Sequence, residues 1–194
     1  MKRIMVLVTA AVFLCGGTAF ATGGSTGTTT TVVPDGVEFE PVPQDLGDLD
    51  HSAYYTWGID WQLPQNEEIT SATLSFLGLN NWAQEPDDIL YVNLLDSASW
   101  GVTLGSDGQA GGNAFDGAGW LLFSYTDIDE STPDNFMYPF TAPQVALLAN
   151  AVSDGNFGLG FDPDCHFNND GVTLKVATRV IPEPMASQLF LIGG

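Results

Sequence analysis

Apolar residues recur at every second position through most of the middle of the chain. Tyr55, Trp57, Ile59, Trp61 and Leu63 share one parity, with Thr56, Gly58, Asp60 and Gln62 between them. Successive side chains of a strand point to opposite faces, so this spacing predicts a half-buried strand with its aromatic side inward. Ala72, Leu74 and Phe76, alternating with Ser71, Thr73 and Ser75, predict a second strand, and Leu90, Val92 and Leu94 a third. The run over 120–125 is continuously apolar, which predicts a central strand with Trp120 in the interior. Phe157, Leu159 and Phe161 alternate with Gly158 and Gly160, the pattern of a strand under close packing. In the last strand Val172, Leu174, Val176 and Val180 are expected to face in, and Thr173, Lys175 and Arg179 to face out.

One segment has helical spacing instead. Thr141 is an N-cap, Pro143 falls in the first turn and Gln144 completes a capping box. Val145, Leu148 and Val152 follow on one face, and Asp154-Gly155 supplies a left-handed stop. Six to eight short antiparallel strands with Gly-rich turns and one short helix define an all-β fold, an antiparallel β-sandwich of jelly-roll-like type. The sandwich is expected over 51–180, with no internal repeat. Val37, Phe39 and Val42 add at most one edge strand before it.

The ends of the chain read differently. Lys2 and Arg3, the apolar stretch from Ile4 to Leu14, and Ala19-Phe20-Ala21 have the order of a secretory signal peptide cut after Ala21. Residues 22–50 form a spacer: a Thr/Gly stretch over 22–31, expected to be flexible, then an acidic, Pro-punctuated segment. Loss of Lys2 and Arg3 with the signal moves the formal charge from −20 to −22. Such a surface repels phosphate backbones and anionic head groups, which excludes nucleic acid as a partner. Cys15 leaves with the signal, so Cys165 remains without an intramolecular disulfide partner and an ordinary core must stabilise the domain.

The densest polar tract is Asp162-Pro-Asp-Cys-His-Phe-Asn-Asn-Asp-Gly171. Asp162, Asp164, Asn168 and Asp170 offer the oxygen ligands that calcium prefers. The same residue types build turns by bonding their own backbone, and both readings stand at this point. Cys165 and His166 suggest zinc only weakly, because His51 is the sole other histidine and adjacent strand residues point apart. A buried Cys165 beside a half-exposed His166 is the expected state. The sequence carries no Gly-x-Ser-x-Gly elbow, no His-Glu-x-x-His and no phosphate-cradling glycine loop, so no catalytic residue is assigned and the chain is read as a non-enzyme. Trp82, in a polar loop, and Trp100, at a Ser-Trp-Gly turn, are the exposed aromatics that would stack on a sugar.

A signal peptide, a Thr/Gly spacer, an all-β domain and a terminal Pro182-Glu183-Pro184 followed by an apolar run resemble the PEP-CTERM proteins. The resemblance implies recognition of Pro182, Glu183 and Pro184 by an exosortase. It also implies delivery to the cell surface or extracellular polysaccharide matrix of a Gram-negative bacterium. It covers the tail 181–194 alone and is incomplete: the ten residues after Pro184 would reach roughly 15 Å as a helix, against a bilayer core of roughly 30 Å, and no basic cluster follows. The leading expectation is a non-catalytic surface or matrix β-sandwich. A carbohydrate-binding module, with or without calcium, comes second, and an enzyme acting on extracellular glycans last.

Overall fold

The computed structural model describes residues 27–33, 36–42, 46–81, 88–108, 111–126 and 132–182. Among them the chain forms twelve strands: β1 (Gly27–Val33), β2 (Gly36–Val42), β3 (Asp48–Leu49), β4 (Ala53–Asp60), β5 (Glu67–Asn81), β6 (Ile89–Leu95), β7 (Gly101–Ser106), β8 (Trp120–Thr126), β9 (Asp134–Pro139), β10 (Asn156–Pro163), β11 (Phe167–Asn168) and β12 (Gly171–Val180). One helix, α1 (Ala142–Ala151), lies between β9 and β10 and tightens into a 3-10 turn at Val152–Asp154.

The strands pair antiparallel in two sheets. One has the order β1-β2-β12-β5-β11-β3, with β9 also on β5, and the other β7-β4-β10-β6-β8. The fold is therefore an antiparallel β-sandwich with one short helix, as the alternation predicts. Its core is the inner faces: Phe39 from β2, Leu74 and Phe76 from β5, Trp57 and Ile59 from β4, and Phe157, Leu159 and Phe161 from β10 are all at most 1% exposed. Aromatic edges tie the sheets across the core. Phe39 meets Phe157 with ring centroids 6.2 Å apart, and Phe76 meets Phe161 at 6.0 Å, both nearly perpendicular. Such pairs add about 0.5–1.5 kcal/mol each beyond the area they bury.

The helix is built as its sequence predicts. The Gln144 side-chain oxygen accepts the Thr141 backbone N–H at 2.9 Å, and Gly155 closes the element at φ 90°. Leu148, Ala151 and Val152 enter the core. Gln144 also bonds beyond the helix. Its amide donates to the Leu122 carbonyl of β8 at 2.9 Å, which also accepts the Tyr138 hydroxyl of β9 at 2.6 Å. This polar knot joins the edge of one sheet to the other sheet and to the helix.

Four expectations fail, each for a local reason. Residues 27–33 are a strand rather than part of a flexible spacer, paired with β2 in unbroken register from Gly27↔Val42 to Val33↔Gly36. Their threonines are β-branched and suit a strand, and the Thr28 hydroxyl accepts the Trp57 indole N–H at 2.8 Å, which fixes β1 to the core. β2 is an inner strand, between β1 and β12, not an edge. β8 lies at an edge of its sheet, not in the centre. A register shift between Val92 and Asn93 leaves Leu122 as an extra, buried residue, and at this edge Trp120, though paired with core Leu94, is 37% and Leu121 50% exposed. Val180, paired with Glu67 on the face of Thr178 and Ile69, stands past the end of the core, so it is exposed rather than core.

The outer face of the five-stranded sheet depends on glycine. Gly101 of β7, Gly58 of β4 and Gly158 of β10 stand in one row across three strands. The connection from β6 to β7 crosses that row, because β10 and β4 lie between the strands it joins. A Cβ on Gly58 would stand 1.9 Å from the Ser99 carbonyl oxygen, and one on Gly158 would stand 2.5 Å from the Ala98 Cβ. The Asn156 side chain pins the crossing by accepting the Ala98 N–H at 2.9 Å. We expect Gly58→Ala to lower unfolding stability by at least about 3 kcal/mol, since backbone rather than a flexible side chain must move. Gly111→Ala, with nothing within 4 Å of its Cβ, serves as the neutral control. Urea denaturation of the two variants against the parent measures both.

Candidate functional site

Beyond the glycine row, the next outward positions of β10 are Gly160 and Asp162. The connection from β7 to β8 returns over this part of the sheet. The Phe115 ring lies on Gly160, whose added Cβ would come within 2.7 Å of it, and meets the Tyr54 ring edge-on at 5.3 Å. Tyr54 in turn lies on Gly105, where a Cβ would fall 2.0 Å from the ring. Phe115 is 6% exposed, so the returning segment is packed down as a strap.

Two carboxylates fasten the strap. Asp162 Oδ2 accepts the Ala114 N–H at 2.5 Å, and Asp164 accepts the Gly112 N–H through both oxygens, at 3.1 and 3.2 Å. Asn113 Oδ1 caps the same turn by accepting the Phe115 N–H at 3.1 Å. Asp162 has no exposed surface, and its Oδ1 is buried without an N–H donor, as is Oδ2 of Asp107 at the end of β7. The two carboxyls lie side chain to side chain, and the Asp107 carboxyl favours the protonated form of Asp162. Burial, with smaller contributions from the charges of Asp107 and Asp164 and the bond to Asp107, pushes the Asp162 carboxyl up to about 6, against the opposing pull of the Ala114 N–H.

The tract singled out as a calcium ligand set does not close on one point. Asp162 and Asp164 face the strap on the five-stranded sheet. Asn168 lies in β11, paired with Asp48 and Asn80 in the other sheet, and Asp170 stands over the β5 irregularity at Gly78, its N–H donating to the Leu77 carbonyl at 2.7 Å. Among the described residues no three His, Cys, Asp or Glu side chains gather as a metal group. Cys165 is buried at 1% exposure and His166 is half-buried, its Nε2 against the Asp48 carboxylate. Sequence reasoning missed Asp107. Nothing near it marks a partner, and only the strap's path brings it to Asp162.

Of the aromatic candidates, Trp100 is 43% exposed where the crossing connection enters β7, and Trp82 lies outside the described residues. Trp61 is only half-buried despite its core parity, because β4 ends at Asp60. It borders a groove of about 540 Å³ at one end of the sandwich, shared with Thr30, Val32, Pro64, Glu67 and the last residues of β12. Of the sorting triplet, Pro182 is exposed, while Glu183 and Pro184 lie outside the described residues, as do residues 1–21. No family model matches the chain, and no curated protein or solved structure matches it.

The raised Asp162 carboxyl fixes the sign of a pH effect. Folding favours the protonated form, so this contribution is complete below about 4 and is lost as pH rises towards and through about 6. The parent is expected to lose up to about 3 kcal/mol from this group between pH 4 and pH 7.5. Asp162→Asn keeps an acceptor for Ala114 and a donor for Asp107, and should be flatter by that amount and more stable at pH 7.5. Urea unfolding of both proteins at pH 4.5, 6 and 7.5 tests this; parallel pH profiles would refute the raised Asp162 carboxyl.

Proposed function

We propose that this chain is an exported, non-catalytic β-sandwich serving at the cell surface or in the extracellular matrix of a Gram-negative bacterium, sorted through Pro182, Glu183 and Pro184 by an exosortase. The observation that carries the reading is the pairing of a signal-peptide pattern before residue 22 with the Pro-Glu-Pro tail after the domain. The geometry next to the tail is compatible with it. β12 ends at Val180, which is 68% exposed, and Ile181 is 45% exposed, so the triplet leaves from an accessible end of the domain rather than from its core. The strand order supports the finer, jelly-roll reading of the fold. β2-β12-β5-β9 faces β4-β10-β6-β8, and the chain visits them in the sequence expected of eight strands in two interlocked Greek keys, with β7 an addition beside β4.

Expression in an exosortase-bearing host tests the proposal directly. Mass spectrometry of the protein recovered from outside the cell should give an N-terminus at Thr22. Replacing Pro182, Glu183 and Pro184 by alanine should move the protein from the surface fraction to another compartment. A cytosolic protein with Met1 to Ala21 intact would refute export, and hydrolysis of a polysaccharide panel at enzyme-like rates would refute the non-catalytic part.

A second reading, a carbohydrate-binding module, is favoured by one feature. Trp100, where the chain enters β7, and Trp120, the first residue of β8, stand exposed at opposite edges of the five-stranded sheet, and aromatic platforms of this kind present a flat apolar surface beside hydrogen-bonding groups.

A further inference from the structure

We propose that the groove beside Trp61, rather than the exposed Trp100, is a binding site for a short neutral oligosaccharide; this deepens the carbohydrate-binding reading and rests on it. The groove lies where the β1–β2 hairpin, the turn after β4 and the end of β12 meet, and its volume of about 540 Å³ is that of a small-ligand site. Its lining is mixed in a particular way. Trp61 supplies an aromatic wall, held from behind by Phe39 at 5.5 Å and 66°, and Val180 an apolar rim. Around them stand Thr30, Thr178, Glu67 and Arg179.

Those polar groups hold no protein partner that would occupy them. Among the described residues the hydroxyls of Thr30 and Thr178, the Glu67 carboxylate and the Trp61 indole N–H make no hydrogen bond. Arg179 is engaged through Nε by Glu68 alone, leaving its two terminal nitrogens open. Donors and acceptors thus ring an apolar wall. A pyranose has the matching surface, with C–H groups on its faces and hydroxyls around its rim. A lipid chain would leave these polar groups unpaired, a cost of about 1–3 kcal/mol for each one buried.

Charge narrows the sugar to a neutral one. Arg179 is paired with Glu68, which leaves Glu67 uncompensated at the groove, and the surrounding chain carries a formal −20, so a polyuronate is repelled within the screening length.

Calorimetric titration of the mature protein with short fragments of neutral glucans, mannans, galactans and xylans, and with oligouronates, tests the assignment. At least one neutral fragment should bind. Trp61→Ala should weaken it by at least about tenfold and Arg179→Gln by at least about threefold, with Trp100→Ala within about twofold of the parent. Arg179 is exposed, so its variant keeps the test decisive if Trp61→Ala fails to fold. Parent-like binding by Arg179→Gln together with either parent-like binding or misfolding of Trp61→Ala overturns the assignment. So does loss of binding in Trp100→Ala alone, which would leave the carbohydrate reading intact at another site. Binding of oligouronates only overturns the neutral specificity. Silence across the panel removes both the groove and the carbohydrate reading, without touching export, which the N-terminal mass measures separately.

Discussion

The two-sidedness of β10 is the constraint on which the other parts of this domain depend. Inward it presents Phe157, Leu159 and Phe161, which join the sheets; outward it presents Gly158, Gly160 and Asp162. The strand is buried on both faces, although the sandwich has only two sheets. What buries the outer face is not a third sheet but two connections, which must cross because β7 joins the sheet beside β4 while its chain neighbours β6 and β8 lie on the far side. Backbone can lie flat on backbone only where no Cβ intervenes. Gly58, Gly158 and Gly160 therefore permit this topology, and larger residues there would force the crossings off the sheet.

The acidic pair follows from the same geometry. Once the strap covers β10, the first outward residue that is not glycine is enclosed, and that residue is Asp162. A hydrophobic side chain would have filled the space, but it could not have accepted the Ala114 N–H. A buried backbone donor without a partner costs about 1–3 kcal/mol, so an acceptor here offsets part of the penalty of enclosing a carboxyl. Burial then favours the protonated form of the Asp162 carboxyl, and the neighbouring Asp107 adds to that preference. What looked along the chain like a ligand-rich tract is, at its N-terminal half, a fastening for a loop.

Legibility in the sequence divided along physical lines. Clean alternation identified β4, β5, β6, β10 and β12, because one residue in two must face a core. The capping box and closing glycine identified α1, because helix ends leave orphan donors and acceptors that only certain residues satisfy. The misreadings fell at strand ends and sheet edges, where parity no longer decides burial. Trp120 opens an edge strand and Val180 ends β12, so both are exposed although each pairs on the inner face. β1 was hidden by composition, since threonine and glycine without apolar neighbours read as a linker. Its place is set by Phe39 in β2 and by Thr28 reaching Trp57, contacts no local pattern contains. The pairing of Asp107 with Asp162 is likewise a product of topology alone.

The distribution of polar satisfaction separates scaffold from surface. On the strap side several backbone donors meet a carboxylate or amide oxygen: Gly112, Ala114, Phe115 and Ala98 each have one. Those residues are occupied by holding the fold together, and a ligand there would compete with the strap itself. At the Trp61 end the order reverses. The strands run out, β4 stops short of Trp61 and β12 runs past the core before Val180, so side chains at core parity emerge into the open beside hydroxyls and charges that hold one another only through Arg179 and Glu68. A sandwich closes its faces by packing but leaves its ends to whatever the loops supply. Here the covered face stabilises the domain, and the open end retains the chemistry with which it can meet something else.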